Sequence, residues 1–222
     1  SIIAQGWRKG RLLLAGDAAH QTPPFLGQGM CAAIRDVSNL AWKLQAVLSG
    51  LSSDALLDTY ESERSPHVDA FIALAVSLGD IIQTTDPEAA RARDAKFRQG
   101  QPEIFQFPAP VLGKGMVSTG VAPIGQTFPQ PQLANGQLLD DVVGNRFVVI
   151  ATDEVLAHVS ETTRQTWRDW QVTPLSANDA ALQEWLTTQG THAVIVRPDR
   201  YILGLAQSSA ELDALTQQWL HP

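Results

Sequence analysis

The chain has 222 residues, enough to bury one large hydrophobic core or two modest ones. Sixteen basic and 23 acidic residues give a formal net charge of −7, and no Lys/Arg run occurs, which argues against a nucleic-acid partner. Apolar residues make up 44% of the chain without a continuous run of about 18–20, so neither a membrane span nor a signal peptide is predicted.

Cysteine and histidine usage excludes two further classes of site. Cys31 is the only cysteine, so no internal disulfide and no dithiol centre can form, and a reducing cytoplasm is the expected location. The five histidines are scattered without paired spacing, so no metal site is predicted.

The first predicted unit is a strand, a loop and a helix. A short apolar strand at 12–14 ends in the corner Gly16-Asp17, and a loop rich in proline and glycine follows. Apolar residues then recur with a period near 3.6 over 30–48, which predicts an amphipathic helix that stops at Gly50.

Two more helices and a connector are predicted next. Ser53 or Asp54 can cap a second helix, and Ser65-Pro66 indicates a break and a restart into a third helix over 68–78. Seven of the 13 prolines lie between residues 87 and 131, so we expect residues 84–145 to form an extended connector rather than core.

The remainder of the chain predicts a small layered α/β unit. Its expected elements are a strand at 147–150, a helix at 154–168, a short strand around Val172, a helix at 178–188, strands at 192–196 and 201–203, and a helix at 209–220.

The Gly16-Asp17 corner and the loop that follows it form the candidate site. A carboxylate beside free backbone N–H groups at a helix start suits a ligand that carries hydroxyl and anionic groups. No G-x-G-x-x-G occurs, so the usual cradle for a dinucleotide pyrophosphate is absent from these residues. Taken alone, Gly16-Asp17 is more typical of an ordinary turn, and it is the proline–glycine loop and the helix after it that favour a ligand site.

The order and spacing of several motifs carry a resemblance to a known family. They are GRLLLAGDAAH at 10–20, P-x-x-G-Q-G at 24–29, R-D at 35–36, NLAWKL at 39–44 and Y-E-x-E-R-x-P at 60–66. Together they resemble the second flavin-contact motif, and the helix after it, of the FAD-dependent aromatic hydroxylases, which are single-component flavoprotein monooxygenases. VRPDRY at 196–201 is similar to a segment of the thioredoxin-like C-terminal domain in the phenol hydroxylase and 3-(3-hydroxyphenyl)propionate hydroxylase branch.

This resemblance implies an α/β fold in which the C-terminal part of an FAD-binding domain precedes a thioredoxin-like α/β domain. The implied divisions are 1–84 for the FAD-binding part, 85–124 for the Pro/Gly-rich connector and 125–222 for the thioredoxin-like domain. The family's N-terminal Rossmann portion and most of its substrate-binding sheet are not among these residues, so an isolated chain is expected to be inactive.

The resemblance also implies a reaction. Members of this family use FAD, NAD(P)H and O₂ to hydroxylate a phenolic ring through a flavin C4a-hydroperoxide. The residues that it implies for cofactor binding are Gly16, Asp17, Pro24, Gly27, Gln28, Gly29, Met30 and Cys31. Pro24 is also expected near the substrate ring.

The remaining expectations concern structural roles. His20 is interpreted as a structural hydrogen-bonding residue and Cys31 as a small buried helix residue, at a position where many family members have Asn. Glu63 and Arg64 are interpreted as forming structural ion pairs with neighbouring helices. The C-terminal unit lacks C-x-x-C, so it is interpreted as a packing or homodimer surface.

Two other functions stay open. One is a non-catalytic thioredoxin-like binding or dimerisation module, and the other is a flavin-dependent hydroxylase of a polyketide-type substrate.

Overall fold

The computed structural model describes residues 1–100, 107 and 109–220. Its architecture is mixed α/β, as predicted: a helical N-terminal arm packs against a four-stranded sheet with helices on its faces.

The N-terminal arm is built from short strand pairs and two long helices. Two short antiparallel pairs are formed, one by Ile2–Ile3 (β1) with His20–Gln21 (β4) and one by Arg8–Lys9 (β2) with Leu12–Leu13 (β3). The elements of the arm are β1 Ile2–Ile3, β2 Arg8–Lys9, β3 Leu12–Leu13, a 3₁₀ turn Gly16–Ala18, β4 His20–Gln21, a 3₁₀ turn Pro24–Leu26, α1 Gly29–Leu48, a 3₁₀ turn Asp54–Asp58 and α2 Thr59–Ile82. The helix predicted from the 3.6 period over 30–48 is confirmed to within one residue.

The predicted break at Ser65-Pro66 is wrong. Helix α2 runs without interruption through Pro66, which removes only the hydrogen bond that the Ser62 carbonyl would accept. Residue 113 approaches that carbonyl so closely that a Cβ on Gly113 would overlap it. Buried side chains on both sides of Pro66 hold the helix together, which outweighs the local cost of the proline.

The expectation of an extended connector over 84–145 is wrong in three places, one of which is the short helix Leu139–Val143 with its buried ends. Residues Pro87–Gln99 form helix α3, whose N-terminus is capped by the Asp86 side chain accepting the Glu88 N–H. Further on, the buried side chains of Leu112, Met116 and Phe128 contribute to the core. Residues 101–106 and 108 of that expectation lie outside the described residues.

From residue 148 onward, the C-terminal elements follow the predicted order of strands and helices, and one unpredicted helix precedes them. The elements of this part are α4 Leu139–Val143, β5 Val148–Ala151, α5 Asp153–His158, α6 Glu161–Asp169, β6 Thr173–Ser176, α7 Ala180–Thr188, β7 Ala193–Val196, β8 Ile202–Ala206 and α8 Ser209–Leu220. The single helix predicted over 154–168 is instead two helices, because Ser160 caps the second one through the Thr163 N–H. The sheet order is β6-β5-β7-β8, with β5 parallel to β6 and antiparallel to β7.

One hydrophobic cluster joins the arm to the sheet. Trp42, Ala46 and Leu56 of the arm lie in the same buried cluster as Val149 and Ile195 of the sheet. The Trp42 ring meets the Phe147 ring edge-on, with centroids 5.3 Å apart. The arm therefore shares its core with the C-terminal unit.

By length and composition alone, the helical stretch 54–82 could cross a membrane, a test that core helices of soluble proteins also pass.

Candidate functional site

The Gly16-Asp17 corner is fixed to helix α1 by packing and by a backbone hydrogen bond. Gly16 has φ +57°, and a Cβ there would lie 3.0 Å from the Ala33 Cβ, so backbone conformation and close packing both require glycine. Its N–H donates to the Asp36 Oδ2 at 3.3 Å. Asp17, the next residue, is exposed, so its carboxylate is open to a ligand.

The loop before α1 is closed by a 3₁₀ turn and a left-handed glycine. Gly27 has φ +61°, and its N–H donates to the Pro24 carbonyl at 3.1 Å. Phe25 anchors this turn on α2, where a Cβ on Gly79 would lie 2.5 Å from the ring. Pro24 itself is exposed.

The start of α1 offers unused backbone donors. Gln28 occupies the N-cap position without a side-chain cap, and the first hydrogen bond of the helix runs from the Ala32 N–H to the Gln28 carbonyl. The N–H groups of residues 29–31 therefore precede the helical ladder, at the positive end of a 20-residue helix. A Cβ on Gly29 would lie 3.1 Å from the Thr22 Oγ1, so the chain itself disfavours a larger residue at this position even without a ligand.

The side chains of Met30 and Cys31 are both partly or largely exposed to solvent, whereas Cys31 was predicted to be buried. Met30 is 73% exposed, and Cys31 is half-buried. The expectation that Cys31 is buried is therefore wrong, because the first turn of α1 extends beyond the packed part of the arm.

A buried carboxylate holds the loop from behind. Asp36 is fully buried, with Oδ2 2.6 Å from the His20 Nε2 and Oδ1 accepting from the Arg64 Nε at 2.9 Å. Together with the bond from Gly16, Asp36 connects the corner, β4 and α2. This arrangement agrees with the structural roles expected for His20 and Arg64.

A second buried charge cluster lies where the arm meets the sheet. The Glu63 Oε2 accepts from the Lys43 Nζ and from the Arg197 Nη2, each at 2.8 Å, and from the Asn39 amide at 2.8 Å. Arg197 also donates to Asp199 at 2.7 Å. We call Asn39, Lys43, Glu63, Arg197 and Asp199 the interdomain cluster.

The charges of this cluster shift one another's pKa. Burial alone would raise the pKa of Glu63, but the charges of Arg197 and Lys43 outweigh it and lower the pKa to about 2. Burial lowers the pKa of Lys43 to about 8, against the attraction of Glu63. Glu63 is therefore an anion at neutral pH and the hub of the cluster.

The sequence motifs contained both halves of this cluster without showing that they meet. Glu63 belongs to the Y-E-x-E-R-x-P motif and Arg197 to VRPDRY, and 134 residues separate them. Charged residues inside apolar helical and strand patterns were the available signal, since buried charges need partners. Among the described residues, no group of three His, Cys, Asp or Glu side chains could hold a metal ion.

Comparison with known proteins finds two family models that match parts of this chain. Residues 1–75 match the FAD binding domain family, and residues 125–221 match the HcaD C-terminal domain family. In both of these parts the chain is similar to the FAD-dependent aromatic hydroxylases. The resemblance inferred from the sequence motifs is thus confirmed.

Named relatives agree with this assignment. The chain is 36% identical over 240 residues to a probable NADH-specific resorcinol 4-hydroxylase of Rhodococcus jostii, covering 98% of this chain and 44% of the relative. It is 34% identical over 263 residues to a 3-(3-hydroxy-phenyl)propionate/3-hydroxycinnamic acid hydroxylase of Mycolicibacterium smegmatis, covering 100% of this chain and 47% of the relative.

A solved structure extends the similarity to the fold. The OxyS anhydrotetracycline hydroxylase from Streptomyces rimosus superposes with a TM-score of 0.76 at 27% identity, over 99% of this chain and 46% of that chain. The chain therefore spans less than half the length of the hydroxylases that it matches.

Proposed function

We propose that the chain forms the C-terminal part of an FAD- and NAD(P)H-dependent monooxygenase that hydroxylates a phenolic ring with O₂. The observation that carries this proposal is the N-terminus of α1, which has no side-chain cap and follows a glycine-closed loop within the region that matches the FAD binding domain family. We assign residues 1–84, 85–124 and 125–222 to the FAD-binding part, the connector and a thioredoxin-like domain.

The site fits FAD by the chemistry of its donors and acceptors. The exposed Asp17 carboxylate can accept hydrogen bonds from ribose or ribityl hydroxyls. The backbone N–H groups from Gln28 to Cys31 can face the N1–C2=O edge of the flavin, where negative charge gathers on reduction. A helix N-terminus stabilises such charge by about 0.3–1 kcal/mol at exposed sites, and by up to about 2 kcal/mol where it is partly buried.

Each part of the proposed site has a separate task. When bound, FAD supplies the redox chemistry with O₂, and the protein supplies position, charge stabilisation and exclusion of water. Gly16 and Gly27 set the backbone, Gln28, Gly29, Met30 and Cys31 present main-chain donors, and Pro24 lies toward the substrate ring. The remaining partners are the N-terminal portion of the same protein, a phenolic substrate and O₂.

A hydroxylase of a polyketide-type substrate is the second candidate, and the similarity to anhydrotetracycline hydroxylase favours it. Product analysis with a simple phenol and with a polycyclic substrate separates the two candidates. A non-catalytic binding or dimerisation module would hydroxylate neither substrate. A cytoplasmic homodimer is the assembly that we propose, and light scattering of the complete protein tests it.

The proposed function is tested by Asp17→Ala in the complete hydroxylase. We expect FAD binding to weaken by about 1.5–3 kcal/mol, the range for a hydrogen bond to a charged group. Fluorescence titration with FAD measures this loss, and Asp69→Ala, which removes an exposed carboxylate from α2, is the matched control. Equal affinity in both variants would remove Asp17 from the site.

A second test uses the 222-residue chain alone. We expect no NAD(P)H-dependent O₂ consumption, because without a pyrophosphate cradle and a substrate-binding sheet FAD would lose most of its burial. An oxygen electrode measures this directly. Substrate-dependent turnover by the purified chain would contradict the proposed division of the active site.

A further inference from the structure

A cavity in the C-terminal unit lies remote in sequence from the loop before α1. It has a volume of about 730 Å³ and opens between the end of α6, the turn before β5 and the edge strand β6. Its lining residues are Arg146, Leu156, Arg164, Trp167, Arg168, Gln171, Val172, Thr173 and Pro174.

The charge of this cavity is opposite to that of the whole chain. Three arginines and no acidic residue line it, although the chain carries a net charge of −7. Arg164 is held by its Nη2, which donates to the carbonyls of Leu156 and Ala157 at 2.8 and 3.1 Å. Arg168 pairs with Glu161 at 2.7 Å, but the Glu161 side chain is 75% exposed, so this pair offsets the charge of the lining only weakly. The cavity therefore favours an anion.

The rest of the lining is partly apolar and partly polar. Leu156 is half-buried and Pro174 is exposed, whereas Trp167 and Val172 are buried. The polar side chains of Gln171 and Thr173 also line the cavity. Guanidinium groups pair with carboxylates through two parallel hydrogen bonds and also stack on aromatic rings. Three guanidinium groups beside Leu156 and Pro174 therefore suit a ligand with an aromatic body and a carboxylate.

The adjoining strand edge is blocked against a protein strand. The Thr173 N–H donates inward to the Phe147 carbonyl at 2.8 Å, so the next residue, Pro174, occupies the position whose N–H would face the free edge of β6. Proline lacks that N–H, which disfavours strand addition by a partner. A small molecule therefore fits this place better than an extended peptide.

Gln171 supplies an independent indication that the cavity has a use. It ends α6 at φ +53°, a left-handed position where glycine is normally favoured, and the Val172 N–H closes the turn on the Trp167 carbonyl at 2.8 Å. A non-glycine residue costs stability here, and strained residues cluster at ligand sites. The Gln171 side chain, which is present despite this cost in stability, lines the cavity.

We infer that this cavity is a binding site for a small aromatic carboxylate. The site does not depend on the proposed hydroxylase function, since it contains none of the residues assigned to the flavin. Arg146, Arg164 and Arg168 would pair with the carboxylate, and Gln171 would provide an amide hydrogen bond at the rim.

The test is titration of the 222-residue chain with 3-phenylpropionate. Binding is monitored by calorimetry and by tryptophan fluorescence, which is informative because Trp167 lies at the cavity. We expect saturable binding, and weakening by about tenfold or more in Arg164→Gln and in Arg168→Gln. Arg98→Gln, an exposed arginine on α3, is the matched control and should bind as the parent does.

A further variant separates binding from folding. Gln171→Gly should raise the melting temperature, because it relieves the left-handed strain, and should lower the affinity severalfold. The uncharged analogue 3-phenylpropanol should not bind. Absence of saturable binding, binding that is indifferent to both arginine substitutions, or tighter binding of adenosine monophosphate than of 3-phenylpropionate would overturn the inference.

Discussion

Glu63 shows how one buried carboxylate can set the response of the protein to acid. Its pKa falls from 4.5 to about 2, so the folded state releases the proton more readily than the unfolded chain. The stability that it contributes is complete above about pH 4.5 and is lost as the pH falls toward about 2, a change on the order of 3 kcal/mol.

Glu63→Gln should remove this acid dependence and destabilise the protein at pH 7 by about 3–5 kcal/mol, because Lys43 and Arg197 would be left with an uncompensated buried charge. Urea unfolding between pH 3 and 7 measures both effects. Glu184→Gln, at an exposed position of α7, should show the same dependence of the unfolding free energy on pH as the parent. If Glu63→Gln also showed the parent's dependence on pH, Glu63 would not control the loss of stability in acid.

Asp36 acts at the same scale on the Gly16-Asp17 corner. Asp36→Asn keeps the shape of the side chain but removes the charge that pairs with Arg64 and His20. We expect a loss of stability of about 3 kcal/mol and faster amide exchange over 16–21, because the Gly16 N–H loses a charged acceptor. Hydrogen-exchange mass spectrometry measures the second effect, with Asp69→Asn as the control. Unchanged protection of the corner in Asp36→Asn would contradict this role.

Among the elements, helix α2 and segment 110–117 depend on each other. Pro66 leaves the Ser62 carbonyl without its helical donor, and Gly113 packs against that carbonyl while its own N–H donates to the Glu63 carbonyl at 2.9 Å. A proline that the sequence suggests as a helix break is instead the place where a loop docks.

Gly113→Ala should therefore destabilise the protein by more than about 2 kcal/mol, because the new methyl group would overlap backbone rather than a flexible side chain. Gly100→Ala is the matched control, since its Cβ would lie 3.6 Å from the Lys96 carbonyl, an ordinary contact. Thermal unfolding of the two variants compares them. Equal melting temperatures would mean that the 113 segment can move aside without cost.

The elements that could be predicted are those whose signal is local. The period of α1 and the apolar runs of β5 and β7 identified these elements to within about a residue at most ends. Helix α3 was missed because it buries no residue, so it has no amphipathic stripe to detect. The interdomain cluster was missed because its contacts depend on tertiary packing between residues that are far apart in the sequence.

At the scale of the whole molecule, the arm and the sheet share one core and one buried charge cluster. Trp42 illustrates both connections: its ring packs on Phe147, and the Arg197 guanidinium lies 5.0 Å from its centroid. The Met116 N–H and carbonyl bond to Glu63 and Arg197 at 2.6 and 2.8 Å, so the segment between the two units is fixed as well. The C-terminal unit is therefore part of the structure that supports α1.

Deleting residues 125–222 should accordingly prevent the arm from folding. The deletion removes Arg197 and Asp199, leaves Lys43 and Glu63 facing an opened apolar surface, and exposes Trp42 and Met116. We expect residues 1–124 to aggregate in light scattering and to unfold without a cooperative transition. The reciprocal fragment 125–222 keeps the complete second cluster around Val148, Ile150 and Val194, so it should stay folded with reduced stability. A monodisperse 1–124 fragment with a cooperative thermal transition would show that the arm folds without the C-terminal unit.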